Sequence, residues 1–181
     1  MAEILTMPDG TTFEVVRSPT DPERDPSEIV FTAQPNGPAP PPHIHPRQRE
    51  IFTLEEGDFE LLLDGSWRKL APGESVTVAP GATHTYRNKG TKTARVRTVH
   101  EPGLSFEQYI RELHATMAEH DARKITPTVA MRMAVIWRRH ADTIQAGDLP
   151  MKVVFAVLGR VAPLLGLRPS PASASRADKP A

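Results

Sequence analysis

The sequence predicts a mainly β fold, an antiparallel sandwich or barrel, followed by C-terminal α-helices. Two observations carry the expectation. Short strand-like runs closed by turn signals recur at regular spacing up to residue 103, and beyond it the apolar period changes from two to helical. A third limits the helix content: 19 of the 181 residues are proline, about twice the usual ~5%.

The strand-like runs are 12–17, 29–33, 50–55, 59–63, 67–70, 75–79, 84–88 and 94–100. Asp64-Gly65 between two of them reads as a tight hairpin, because a type I′ turn needs residues that tolerate positive φ. Gly57-Asp58, Pro72-Gly73, Pro80-Gly81 and Asn88-Lys89-Gly90 punctuate the rest. After Gly103, Ser105 and Gln108 have capping-box spacing, and Phe106, Tyr109, Ile110, Leu113 and Met117 follow as one apolar face ending near His120. Thr126-Pro127 supplies a cap and first-turn proline for a second helix, with Val129, Met133, Ile136 and Trp137 on one side. A third begins at about Pro150. Apolar residues cover most of its circumference, leaving Lys152, Ala156 and Arg160 as its polar stripe. The resulting division is 1–103 for the barrel, 104–167 for a helical extension and 168–181 for a disordered tail rich in Pro, Ser and Ala.

Composition excludes several function classes. Lys plus Arg and Asp plus Glu are both 22, so no charge excess draws the chain to a phosphate backbone, and nucleic acid is not an expected partner. The absence of cysteine removes disulfides, thiolate metal sites and a Cys nucleophile, leaving metal chemistry to carboxylates and the 7 histidines. The segment from Met1 to Gly10 has neither a basic start nor an apolar run of export-signal length, which predicts a cytoplasmic protein. The stretch 149–167 is marginal for a membrane span and is interrupted by Lys152, Arg160 and Pro163. It is expected to pack on the barrel or on a second subunit, with docking to a membrane surface as the alternative.

Chemistry concentrates between Gly37 and Asn88. His43 and His45, two apart on an extended chain, point to one side. Glu50 can reach the same point if the chain bends at Pro46, and His84 follows the Pro80-Gly81 turn. Three imidazoles and one carboxylate suit Fe(II), Mn(II), Ni(II), Cu(II) or Zn(II), with coordination positions left open. His100 ends the last strand and could also face the pocket, but is left outside this set. His114, His120 and His140 fall on helical stretches and are expected at the surface or an interface. Tyr86 and Phe52 alternate in step with His84 and Glu50, as pocket walls or as barrel core.

In this arrangement the sequence resembles the cupins. Gly37, His43, His45, Glu50 and Gly57 reproduce their first motif, with four residues between His45 and Glu50. Gly73, Gly81, His84 and Asn88 match the second, with Ala79 in place of its first proline. The 15-residue spacer 58–72 is typical of short microbial members. The resemblance covers roughly residues 28–100 and implies a double-stranded β-helix, or jelly-roll barrel, enclosing a divalent transition metal on His43, His45, Glu50 and His84, iron first. It further implies a homodimer and a small-molecule ligand. The leading functional expectation is a mononuclear metal-dependent oxygenase, similar to quercetin-dioxygenase-like single cupins, acting on an enolic or aromatic substrate, with Glu50 also placed to act as base. Arg95 and Arg97 share one face of the last strand; were that face inward, an anionic substrate would be favoured. The alternative is a non-catalytic small-molecule-binding or interaction module that meets a membrane or partner through its helices. Since all four ligand candidates precede residue 89, the helical segment is expected to be accessory to the site.

Overall fold

The structure, a computed structural model, describes residues 3–120 and 126–171. Its elements in chain order are β1 (Glu3–Thr6), β2 (Thr12–Arg17), β3 (Ser27–Ala33), β4 (His43–Ile44), β5 (Arg49–Glu56), β6 (Phe59–Leu63), β7 (Ser66–Leu70), β8 (Ser75–Val78), β9 (His84–Arg87) and β10 (Ala94–Glu101). Then follow α1 (Phe106–Glu119), α2 (Pro127–Arg139), β11 (Gln145–Ala146) and α3 (Leu149–Val161), which runs into a 3₁₀ turn at Ala162–Leu165. The fold is therefore mainly β with helices after the barrel.

Two antiparallel sheets form the barrel, in strand orders β1-β2-β3-β10-β5-β8 and β11-β4-β9-β6-β7. Alternation dictates which side chains enter. On β10 Ala94, Val96, Thr98 and His100 are buried while Arg95, Arg97 and Val99 are only half-buried on the other face, the period-two signature of a sheet with one covered face. Phe31, Phe52, Leu54, Phe59, Leu61, Val78 and Val96 meet between the sheets. Each such side chain, fully withdrawn from water, contributes about 1.5–3 kcal/mol. The Asp64-Gly65 hairpin forms as expected, with φ of 52° and 75°. At Gly57, φ is 89° and a Cβ would overlap the Thr93 carbonyl oxygen, so only glycine fits there.

Three strands escape the sequence reading. β1 pairs with β2 in register Leu5↔Phe13. β4 and β11 pair with each other as Gln145↔Ile44 and Ala146↔His43. Two-residue strands are too short to show any period, and β11 draws its partner from over a hundred residues earlier.

The helices pack on one side of the barrel. Phe106, Tyr109 and Ile110 of α1, Ile136 and Trp137 of α2, and Ile144 share a second core with Leu5 and Ile29. α2 starts where expected, the Thr126 side chain accepting from Val129 N–H at 3.3 Å. α3 is capped instead by Asp148, which accepts from Met151 N–H at 2.8 Å. The capping box at Ser105 does not form. Its hydroxyl is engaged by Thr143 Oγ1 at 3.2 Å and His140 Nδ1 at 2.8 Å, leaving it unable to turn back on its own helix. His140 is accordingly buried rather than at the surface. His114 lies at the α1 surface, 3.2 Å from the Thr6 carbonyl oxygen.

α3 presses Gly159 onto the Ala134 carbonyl and stacks Phe155 on Trp137, with centroids 4.5 Å apart. Its apolar arc faces outward, not onto the barrel. Among the described residues no helix is long and apolar enough to cross a membrane. Of the stretch expected to be a tail, residues 168–171 run back along α1 and α2, where Ser170 N–H donates to Thr116 Oγ1 at 3.1 Å and the Arg168 carbonyl accepts from Arg132. Residues 172–181 lie outside the described residues.

Candidate metal centre

Two cross-strand pairs, one from each sheet, build the site. On one sheet His43 of β4 lies opposite His84 of β9; on the other Glu50 of β5 lies opposite His100 of β10. Directly opposed residues on a common face stand within side-chain reach, and the two inward faces meet inside the barrel. His45 follows β4 and is fixed by its own backbone, its carbonyl accepting from Gly81 N–H at 2.9 Å. This places the motif turn at Pro80-Gly81 directly behind the site. Gln48, fully buried, donates to the carbonyls of Pro102 and Gly103 at 2.9 Å each and pins the loop between His45 and Glu50.

His43, His45, Glu50 and His84 each offer a ligand-type atom, all within 4.8 Å of one another, and all four residues are buried. Glu50 Oε2 stands 3.2 Å from His45 Nε2 and 2.9 Å from His84 Nε2, and Oε1 is 3.3 Å from His100 Nε2. The ring nitrogens on the far side face backbone carbonyls: His43 Nδ1 and Pro41 at 2.9 Å, His45 Nδ1 and Thr143 at 2.6 Å, His84 Nδ1 and Ala82 at 3.0 Å. A carbonyl can only accept, so each Nδ1 carries a proton, and in the neutral ring, the form that binds a metal, each Nε2 presents a lone pair.

That arrangement is a test of whether a cation fits. His45 Nε2, His84 Nε2 and Glu50 Oε2 are buried without a hydrogen-bond partner, three lone-pair atoms turned towards one another. Buried acceptors so placed repel unless a positive charge stands among them. Two ligands bound at ~2.1 Å and at right angles would sit about 3 Å apart, close to the separations found. The residues fit a divalent metal.

The charges follow from the same packing. Burial, reinforced by the neighbouring His84 and His45, holds His43 well below the ordinary imidazole range, so it is neutral and available as a ligand. Burial alone would push the Glu50 carboxyl up; with no cation in place, His100, His45 and His84 acting as donors towards the carboxylate outweigh it and hold the group well below the usual carboxylate range. Burial takes His100 down to about 4. For His84 burial works downward, and the adjoining Glu50 more than reverses it.

One side of the site opens into a cavity of about 170 Å³, lined by His43, His45, Glu50, Phe52, Tyr86 and Thr98 from the barrel and by Phe106, Tyr109, Leu113, Met133, Trp137 and Ile144 from beyond it. Phe52 and Tyr86 are thus cavity walls. The expectation that the helical segment stands apart from the site is corrected: it walls the cavity and supplies the carbonyl that orients His45. The proposed division at residue 103 left this out because backbone carbonyls and two-residue strands leave no mark in a sequence pattern. Arg95 and Arg97 point away from the cavity and pair with Glu14, Glu28 and Glu55 on the outer face. His100 does face the centre, beside the four ligand-type residues and not among them, with its Nε2 3.3 Å from Glu50 Oε1. Its ring stacks on Phe106 with centroids 3.5 Å apart.

Residues 29–100 match the family model for the cupin domain. The chain carries a cupin domain. The matched segment includes every residue of the centre except those supplied by the helical segment. A curated relative, the HTH-type transcriptional regulator SutR of Escherichia coli, is 37% identical over 54 residues, 29% of this chain and 30% of its own length. The chain spans well under half the length of the curated relatives it matches. Among solved structures, an uncharacterized double-stranded β-helix protein of Klebsiella pneumoniae is 26% identical, with TM-score 0.44, 50% of this chain and 75% of that chain covered. The cupin domain of an XRE-family transcriptional regulator from Enterobacter cloacae is 21% identical, with TM-score 0.43, covering 50% and 95%.

Proposed function

We propose that this cupin is a mononuclear metal-dependent oxygenase acting on a small, uncharged enolic or aromatic molecule. The observation that carries the reading is the junction of two unlike surfaces: a cluster of metal-ligand side chains faces a cavity whose remaining lining is mostly aromatic and aliphatic, with Asp9, Thr11 and Thr98 as its polar members. A divalent metal on His43, His45, Glu50 and His84, iron first among the candidates, would supply Lewis acidity and one-electron chemistry with dioxygen. The chain's own residues do the rest. Phe52, Tyr86, Phe106 and Trp137 bind a flat apolar body and exclude water. Among the described residues no lysine or arginine lines the cavity and Asp9 does, which disfavours a phosphorylated or otherwise anionic substrate. Glu50 Oε1 is the oxygen not shared by His45 and His84, and it takes the proton of an enolic hydroxyl. His100, neutral, stands 3.3 Å from that oxygen.

Metal analysis combined with dioxygen uptake tests the reading, using a β-diketone and a flavonol as probes. Stoichiometric metal with uptake that is lost in Glu50→Gln is the expected result. The likeness to part of a transcriptional regulator favours a second reading, a ligand-binding module without turnover. A folded, metal-loaded protein that binds the probes and consumes no dioxygen would select it.

A further inference from the structure

Among the described residues nothing covers the outer face of α3, and we propose that it joins a second copy of this chain across a two-fold axis passing through Val157. Between Leu149 and Leu165 eight large apolar side chains are 36–85% exposed. The largest apolar patch on an ordinary monomer is about 300–600 Å². Eight such side chains on one helix approach the ~800 Å² per partner of a standard interface.

The order of the residues points to the occupant. Val153, Val157 and Val161 stand four apart on one ridge of the helix, with Leu149 at one end and Leu164 and Leu165 at the other. Read in either direction the ridge runs leucine, three valines, leucine. A two-fold contact requires a surface complementary to itself, and an axis at Val157 sets Val153 of each copy against Val161 of the other. Ridges at four-residue spacing interdigitate in the commonest class of helix packing, and valine has little rotamer freedom to lose. Charge stays off the ridge. Arg160 folds back to donate to its own Ala156 carbonyl at 2.9 Å, and Lys152 lies on the flank. A membrane-surface helix needs a polar face towards water and commonly sets aromatic residues into the lipid. Here the opposite face is packed on α2 and its aromatic, Phe155, is turned inward on Trp137.

The experiment is sedimentation of the full chain at micromolar concentration, beside Val157→Lys. The wild-type chain is expected at dimer mass, and the variant, altered at an exposed position, at monomer mass with an unchanged circular dichroism spectrum and about 100-fold weaker self-association. Because the chain has no cysteine, cross-linking reports the geometry. Val157→Cys should link to itself, whereas Val153→Cys and Val161→Cys should link on mixing and not alone, since a disulfide needs Cα atoms within about 7 Å. A monomeric wild-type chain, a dimer that persists in Val157→Lys, or a monomer that instead sediments with phosphatidylserine vesicles overturns the proposal. None of these readouts depends on metal or dioxygen, so they are independent of the proposed activity.

Discussion

Glu50 is the residue on which the centre turns, since one of its oxygens lies against two imidazoles and the other against a third. Glu50→Gln keeps the shape and removes the charge, and metal affinity should fall by at least about 100-fold in titration calorimetry, in keeping with loss of a primary ligand rather than an outer partner. His84→Ala should likewise empty the site by elemental analysis, while His114→Ala, at the α1 surface, leaves it loaded; equal metal content in both would refute the ligand set. The convergence of His43, His45, Glu50 and His84 was legible because glycine frames and period-two geometry leave few ways to bury them. The inward position of His100 was legible too, more firmly than as one option for the end of the last strand. Ala94, Val96, Thr98 and His100 alternate with Arg95 and Arg97, and the side holding alanine and valine is the inward one. Giving weight to that alternation would have placed His100 inside and both arginines outside.

Turns decide how the elements meet, and two of them invite tests. Gly57→Ala puts a methyl into the Thr93 carbonyl at a φ of 89°, and should cost at least about 3 kcal/mol in denaturant unfolding, as both strain and overlap must be relieved. Asp58, next along, accepts from the N–H groups of Thr91 and Lys92 at 3.1 Å each and ties the β9–β10 loop to β6. Those two bonds hold its pKa below the ordinary value. The folded pKa is thus lower than the unfolded one. Its contribution to stability is fully present above the unfolded pKa, about 3.9, and is lost as pH falls through the folded value. Asp58→Ala should therefore lower the melting temperature at pH 7 and leave a smaller difference from wild type at pH 2 to 3. Long strands and helices showed in the sequence within a residue or two of their ends, because many side chains report each period. β4 and β11 did not, having two residues apiece, and the Ser105 cap failed because distant residues claimed its hydroxyl.

At the scale of the whole molecule, barrel and helices form one cavity between them, which no reading of either half alone would contain. Filling it from the helical side is the direct check: Met133→Trp should weaken binding of a hydrophobic fluorophore about tenfold or more while metal content is unchanged. Loss of metal along with the fluorophore would mean that the variant had disturbed the centre itself. The pairing of His43-Ile44 with Gln145-Ala146 also sets an order in time. As the chain leaves the ribosome, both histidine motifs are out long before residue 143 can reach His45, and a loop of about 100 residues must close to bring it there, at an entropic cost that grows only slowly with length. The nascent protein thus passes through a stage in which the barrel can fold but its centre has no finished wall. Metal loading in a translation mixture should lag behind barrel formation until residues 143–146 have left the ribosome.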